Sequence, residues 1–364
     1  MPIRTPTRRS WRVLLGAVVG AALAVEITAI APTFAAALDR LELADPTWAA
    51  VAVAAAAASM SFFARTRRRL MSAAGVRVRQ RDALAAVYVA NAVHVTLPGG
   101  AAFSTAWTCR WMRARGASSG AITWTLVTGG VLCSSVLASI GLVGSLLAGH
   151  GAGAAGLLVD GASVTLLVSA ATLARRRPDL LRSAAAGGAR LVDRVLRRPG
   201  GQSENVARTL LAQITAVRPR PVDWCAATAY AVANWLLDAA CLWAGGVALG
   251  VHLSVPVLLV CYAAGMAAAG LSVVPAGIGL VDGAMVLVLT AAGLPGATAL
   301  PVVLLYRLIS LVGVVAAGWV IAAAQTFAAP ASVPSPWSER PGSDGAGSKQ
   351  ASETCTTEAV VAVV

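Results

Sequence analysis

Arginine falls in blocks along this chain, and long apolar stretches fill the intervals between them. Of the 29 Lys and Arg residues, 25 lie in residues 1–12, 65–81, 110–115 and 175–221. Lys349 is the only lysine. A hydrocarbon core takes about 20 apolar residues per helix. Basic blocks bounding such runs mark cytoplasmic loops under the positive-inside rule. With 57% hydrophobic and 12% charged residues, the chain lies far from a soluble domain, in which about a quarter of residues are charged. The pattern excludes disorder and a disulfide scaffold over most of the chain. The net charge of +13 is not a nucleic-acid signature, because the arginine blocks lack interleaved aromatics, and nucleic acid is not an expected partner.

The predicted fold class is all-α: a polytopic integral membrane protein with about six full spans plus two re-entrant broken-helix hairpins, eight spans being the rival count. The expected domains are a basic cytoplasmic N-terminus (1–12), a transmembrane domain (13–328) with a cytoplasmic basic loop (175–221), and a disordered Pro/Ser/Gly/Ala-rich tail (329–364). Spans are expected near 13–37, 47–64, 118–147, 152–174, 222–250 and 297–327. The first resembles a signal peptide but is read as an uncleaved helix. The middle of the long basic loop, 180–196, reads equally as a surface amphipathic helix or a solvated one. Both termini are expected in the cytoplasm, at a plasma or inner membrane.

Two apolar stretches are interrupted. Leu97-Pro98-Gly99-Gly100 breaks residues 82–109, and Val274-Pro275-Ala276-Gly277-Ile278-Gly279 breaks the stretch that begins at 257. Proline and glycine end helices, and broken backbone at membrane depth needs protein or a watery cavity around it. Shifting the chain by 177 residues lays the first break on the second, and Gly116 on Gly293. Three predicted spans separate the breaks, and an odd number inverts the second unit. Inverted repeats with broken helices near the midplane recur in transporters; chance recurrence of Pro-Gly turns is the alternative.

Charges at membrane depth cost about 2.5–3.5 kcal/mol each on insertion scales. Glu26, Asp160, Asp238, Asp282 and Arg307 fall in apolar stretches. Arg307 beside Tyr306 stays protonated and needs an anion or water. It either pairs with Asp282 as a structural lock or contacts an anionic substrate. Asp238 either lines a cavity or relays a proton, or is a hydrogen-bonded structural residue. Asn91 and His94 precede the first break; His94 is expected in the packed interior. The half-helices after Gly100 and after Gly279 expose N–H groups that attract anions, which makes Gly100, Gly277 and Gly279 candidate headgroup contacts. The six cysteines form no CxxC pair and read as small buried side chains. No P-loop, GxSxG or HExxH motif is present; no cofactor or metal is implied, and an enzyme is not expected.

The second break, with Leu280-Val281-Asp282-Gly283, Gly293-Leu294-Pro295 and Leu305-Tyr306-Arg307-Leu308, resembles the transmembrane domain family of lysylphosphatidylglycerol synthase, a flippase-like group. Pro98-Gly99-Gly100 and residues 110–116 resemble its upstream motif. The likeness covers roughly residues 10–328. Asp282 stands where the family usually has Glu, and Ala101-Ala102 where the first motif often continues to Gly-Glu. The residues after Phe327 are too few for the cytosolic aminoacyl transferase domain of the bifunctional members. The resemblance therefore implies translocation of a lipid headgroup, on a phospholipid or a polyprenyl-phosphate-linked sugar, rather than lipid aminoacylation. It implies membrane lipids and cell-envelope biosynthesis proteins as partners. An accessory subunit or membrane enzyme of envelope glycolipid synthesis, and a small-solute or ion transporter, are the alternative readings.

Overall fold

The computed structural model describes residues 44–97, 99–148, 217–271 and 275–328. The predicted spans near 13–37 and 152–174, the loop 175–216 and the tail lie outside the described residues, as do Glu26 and Asp160. The described residues form α1 (Pro46–Ala73), α2 (Gln80–Thr96), α3 (Gly100–Arg113), α4 (Ser119–Ala148), α5 (Pro221–Ala248), α6 (Val255–Leu271), α7 (Leu280–Ala291), α8 (Gly296–Arg307), a π-helical segment (Leu308–Gly313) and α9 (Val314–Ala328). There is no strand among them. Among the described residues four helices are long and apolar enough to cross a bilayer: α1, α4, α5 and the continuous rod Gly296–Gln325. With the two broken pairs α2–α3 and α6–α7, this is the predicted polytopic all-α architecture.

The same order of elements occurs twice. A 28-residue helix, a 17-residue helix, a break, a short helix and a long rod run from Pro46 to Ala148 and again from Pro221 to Ala328. The left-handed residues recur at the 177-residue offset: Gly99 (φ 69°) with Ala276 (φ 62°), and Gly116 (φ 82°) with Gly293 (φ 96°). α1 and α5 lie antiparallel at the centre. Asp45 N–H donates to the Ala248 carbonyl at one end (2.8 Å), and Arg69 pairs with Asp223 at the other (2.8 Å). Their contact is lined with buried small residues, among them Ala52, Ala56 and Ala239, which lets backbones approach without a water-driven hydrophobic force. Midway, the buried Ser59 hydroxyl donates to Asn234 Oδ1 (3.1 Å).

The flanking crossings rest on glycine. A Cβ at Gly144 of α4 would lie 2.7 Å from Leu259 of α6, and one at Gly318 of α9 would strike the Tyr88 carbonyl of α2. Each long rod thus seats on the half-helix of the other unit, α4 on α6 and α9 on α2.

α1 corrects the expected boundary. The basic block Arg65–Arg69 does not stop the helix at Ala64; α1 runs to Ala73 and ends where Gly75 turns left-handed (φ 87°). Arginine is a good helix former, and its stem lies along apolar surface while the guanidinium finds a ring: Arg65 sits over Phe62 and Arg67 over Phe63. The cysteine reading holds for buried Cys241 and Cys261. Cys225 is exposed, and Cys109 is disulfide-bonded.

Candidate functional site

Each break is built by its own sequence. Leu97 is extended (φ −98°, ψ 137°), as a residue before proline is pushed to be. Gly99 then takes the left-handed conformation, and α3 starts at Gly100. A Cβ at Gly100 would collide with the His94 carbonyl, so the chain doubles back tightly. The Ser104 hydroxyl donates to the Ala90 carbonyl (2.8 Å) and ties α3 to α2.

At the second break the turn Pro275–Gly277 carries a left-handed alanine, Ala276. Its carbonyl accepts a hydrogen bond from Arg307 Nη2 (2.6 Å). Arg307 Nε lies 3.0 Å from Asp282 Oδ1. That contact is an ion pair whose angle falls outside hydrogen-bond geometry, which leaves Oδ1 buried without a directed donor. Asp282 Oδ2 accepts from Gly279 N–H (3.0 Å). One carboxylate thus caps the start of α7 and faces the arginine. The pair is sheltered, with side chains 12% and 20% exposed.

Both breaks face a single cavity of about 730 Å³. Of the predicted site residues, Asn91, Gly100, Asp238, Gly277, Tyr306 and Arg307 line it. Gly279 and Asp282 do not; they stand behind Arg307 and hold it. The start of α7, expected to offer free N–H groups to a headgroup, already carries the Asp282 carboxylate. Asp238 Oδ2 accepts from the hydroxyls of Tyr262 (2.7 Å) and Tyr306 (3.0 Å). Three helices, α5, α6 and α8, therefore converge on one carboxylate. The π-helical turn follows Arg307 directly. Tyr306, Arg307, Ser310 and Leu311 all lie on the cavity wall, and π-helical turns recur at functional sites.

One residue departs from the sequence reading, and two others join the site without a signal of their own. His94, expected in the packed interior, is exposed and lines the cavity. The tight return at Gly100 takes up the carbonyl side of His94, which leaves its ring to the opening. Asn234 lines the cavity four residues before Asp238, one turn away on the same face of α5. Tyr262 was visible only as a lone tyrosine in an uncharged helix.

A bundle of apolar helices with two broken hairpins around a polar, charged cavity is the architecture of a multi-pass membrane protein. Residues 12–318 match the family model described as the lysylphosphatidylglycerol synthase TM region. The chain belongs to that family, a membrane family tied to lipid handling. No curated protein matches it.

Proposed function

We propose that this protein is a flippase-like lipid transporter of the cytoplasmic membrane. It moves a phospholipid or a polyprenyl-phosphate-linked headgroup through the central cavity, while the acyl or prenyl tails stay in the bilayer. The two four-element units act as an inverted repeat. The antiparallel set of α1 and α5 supports this, as does the recurrence of left-handed residues at the 177-residue offset. The basic end, with Arg65–Arg69 and Arg220, faces the cytoplasm under the positive-inside rule, and both termini lie on that side.

One observation carries the reading: a cation and an anion, Arg307 and Asp238, line the same cavity in an otherwise apolar bundle. Neither would be retained at membrane depth without use. Arg307 presents a planar donor set suited to phosphate. Asp282 orients it from behind, and Asp238 with its two tyrosines offers an acceptor to a cationic or hydroxylated headgroup, or a proton site for coupling. The protein acts without covalent chemistry on the lipid and works beside cell-envelope biosynthesis proteins.

The test is translocation of headgroup-labelled phospholipid, and separately of a polyprenyl-phosphate sugar, in proteoliposomes. Wild-type protein is expected to move one of them, and Arg307→Gln to slow it at least about tenfold, the loss of one charge-assisted phosphate contact. If wild-type protein moves neither lipid, the reading fails, and Arg307 with Asp282 becomes a structural lock in an accessory subunit.

A further inference from the structure

Ser59, Phe63 and Arg67 recur at four-residue spacing on α1, and therefore share one face of it. Ser59 and Phe63 line the cavity. Arg67 lies one turn, about 6 Å, farther toward the basic end. Its guanidinium stacks over Phe63, 5.3 Å from the ring centroid. Across from it is Cys133 of α4, whose carbonyl accepts from Trp235 Nε1 (2.9 Å). Trp235 and Ser134, the residue after Cys133, are cavity residues. Arg67 is thus placed at the basic rim of the same cavity.

Arg69 is paired with Asp223, and Arg65 lies over Phe62 as Arg67 does over Phe63; Arg68 Nε and Arg69 Nε are also buried without a hydrogen-bond partner, but of these arginines Arg67 is the one on the face of α1 that carries the cavity residues Ser59 and Phe63. Arg67 Nη1 is buried with no hydrogen-bond partner, and no acid among the described residues forms an ion pair with it. Arginine does not shed its proton to relieve this, and a sheltered donor left without an acceptor is unfavourable. A fold that keeps such a group beside a cavity supplies one half of a pair.

We propose that Arg67 is a second phosphate-binding position, at the cytoplasmic mouth of the cavity, which receives the headgroup phosphate before Arg307 takes it. This rests on the lipid-transport reading above and deepens it. The ligand class is a phosphate mono- or diester carried on a lipid. Two arginines in series give the phosphate a stopping place at the rim and another beside the breaks, so that neither has to bind it tightly enough to trap it.

Binding is followed by tryptophan fluorescence, with Trp235 in the cavity wall as reporter, against short-chain phosphatidylglycerol and against inorganic phosphate. Thermal unfolding of the ligand-free protein is measured alongside. Arg67→Met is expected to weaken the lipid about tenfold and to raise the ligand-free Tm, because it removes a partly buried charge whose Nη1 has no acceptor. Arg67→Lys is expected to keep most of the affinity. Inorganic phosphate is expected to bind more weakly than the lipid. A lowered ligand-free Tm in Arg67→Met with unchanged affinity makes the residue structural and overturns the proposal. Loss of binding in Arg307→Gln with none in Arg67→Met overturns it too and leaves the transport reading standing. Equal affinity for inorganic phosphate overturns the lipid assignment. Wild-type protein that binds no phosphate lipid overturns both readings together.

Discussion

The two breaks make the same turn by different means. At Gly99 and at Ala276 the backbone goes left-handed, and a new helix begins within four residues. The first break is held by close approach: Gly100 lies against the His94 carbonyl, and Ser104 bonds Ala90. It contains no charged side chain. The second is held by charge: Arg307 grips the Ala276 carbonyl, and Asp282 caps α7 while facing Arg307. A left-handed alanine costs about 1–2 kcal/mol, and there the arginine's hydrogen bond offsets it. The difference shows how one turn can be held by shape alone in one unit and by charge in the other. The asymmetry also fixes where a ligand is felt. On the transport reading proposed above, a phosphate that competes for Arg307 would loosen the second break and leave the first untouched.

The largest expected effect falls on the shape-held break. Gly100→Ala has no room for its Cβ, and since the opposing atom is backbone, about 3 kcal/mol or more of stability is expected to be lost. Unfolding in detergent reads this directly, with Gly130→Ala as control, because a Cβ there meets nothing within 4 Å. If Gly100→Ala is as stable as wild type, the close-approach account of the first break fails.

The charge-held break comes next. Asp282→Ala strands Arg307 without its carboxylate and uncaps α7, which is expected to destabilise by about 3 kcal/mol, the range for breaking a sheltered ion pair. Asp282→Glu is expected to recover most of it. In the double variant Asp282→Ala/Arg307→Ala the losses are expected to be well below additive. Full additivity in that cycle would mean that the two residues act separately, and the contrast between the breaks would lose its electrostatic side.

The smallest effect is a reciprocal swap of the left-handed residues. Gly99→Ala is expected to destabilise by about 1 kcal/mol and Ala276→Gly to stabilise by about as much. Opposite signs of similar size would sharpen the equivalence of the two positions. A destabilising Ala276→Gly would show that the second turn depends on its methyl group.

Much of this was legible in the chain. Apolar runs between arginine blocks gave the spans that lie among the described residues, and Pro-Gly pairs gave both breaks to within a few residues. The reason is local: in a bilayer each backbone group is satisfied within its own helix, so composition and breakers speak for themselves. Arg307, Asp238 and Asn91 were visible because a polar group in an apolar run stands out. The same logic failed at Arg65–Arg69, where a charge block was read as a helix end although only Gly75 supplies a stop. It failed again at His94, whose exposure depends on how tightly α3 folds back on α2.

The sequence by itself determined that this protein is a helical membrane bundle with two interruptions and a few charges held at depth, because those properties follow from runs, breakers and transfer free energies. Only the tertiary structure decided which charges meet. It placed Asp282 behind Arg307 rather than in the cavity, brought Tyr262 and Tyr306 to Asp238 from two other helices, and stacked Arg67 on Phe63 with its Nη1 lacking a hydrogen-bond partner. Those relations depend on the register of one helix against another. That register is set by small residues such as Gly144 and Gly318, at crossings well over a hundred residues apart in the chain.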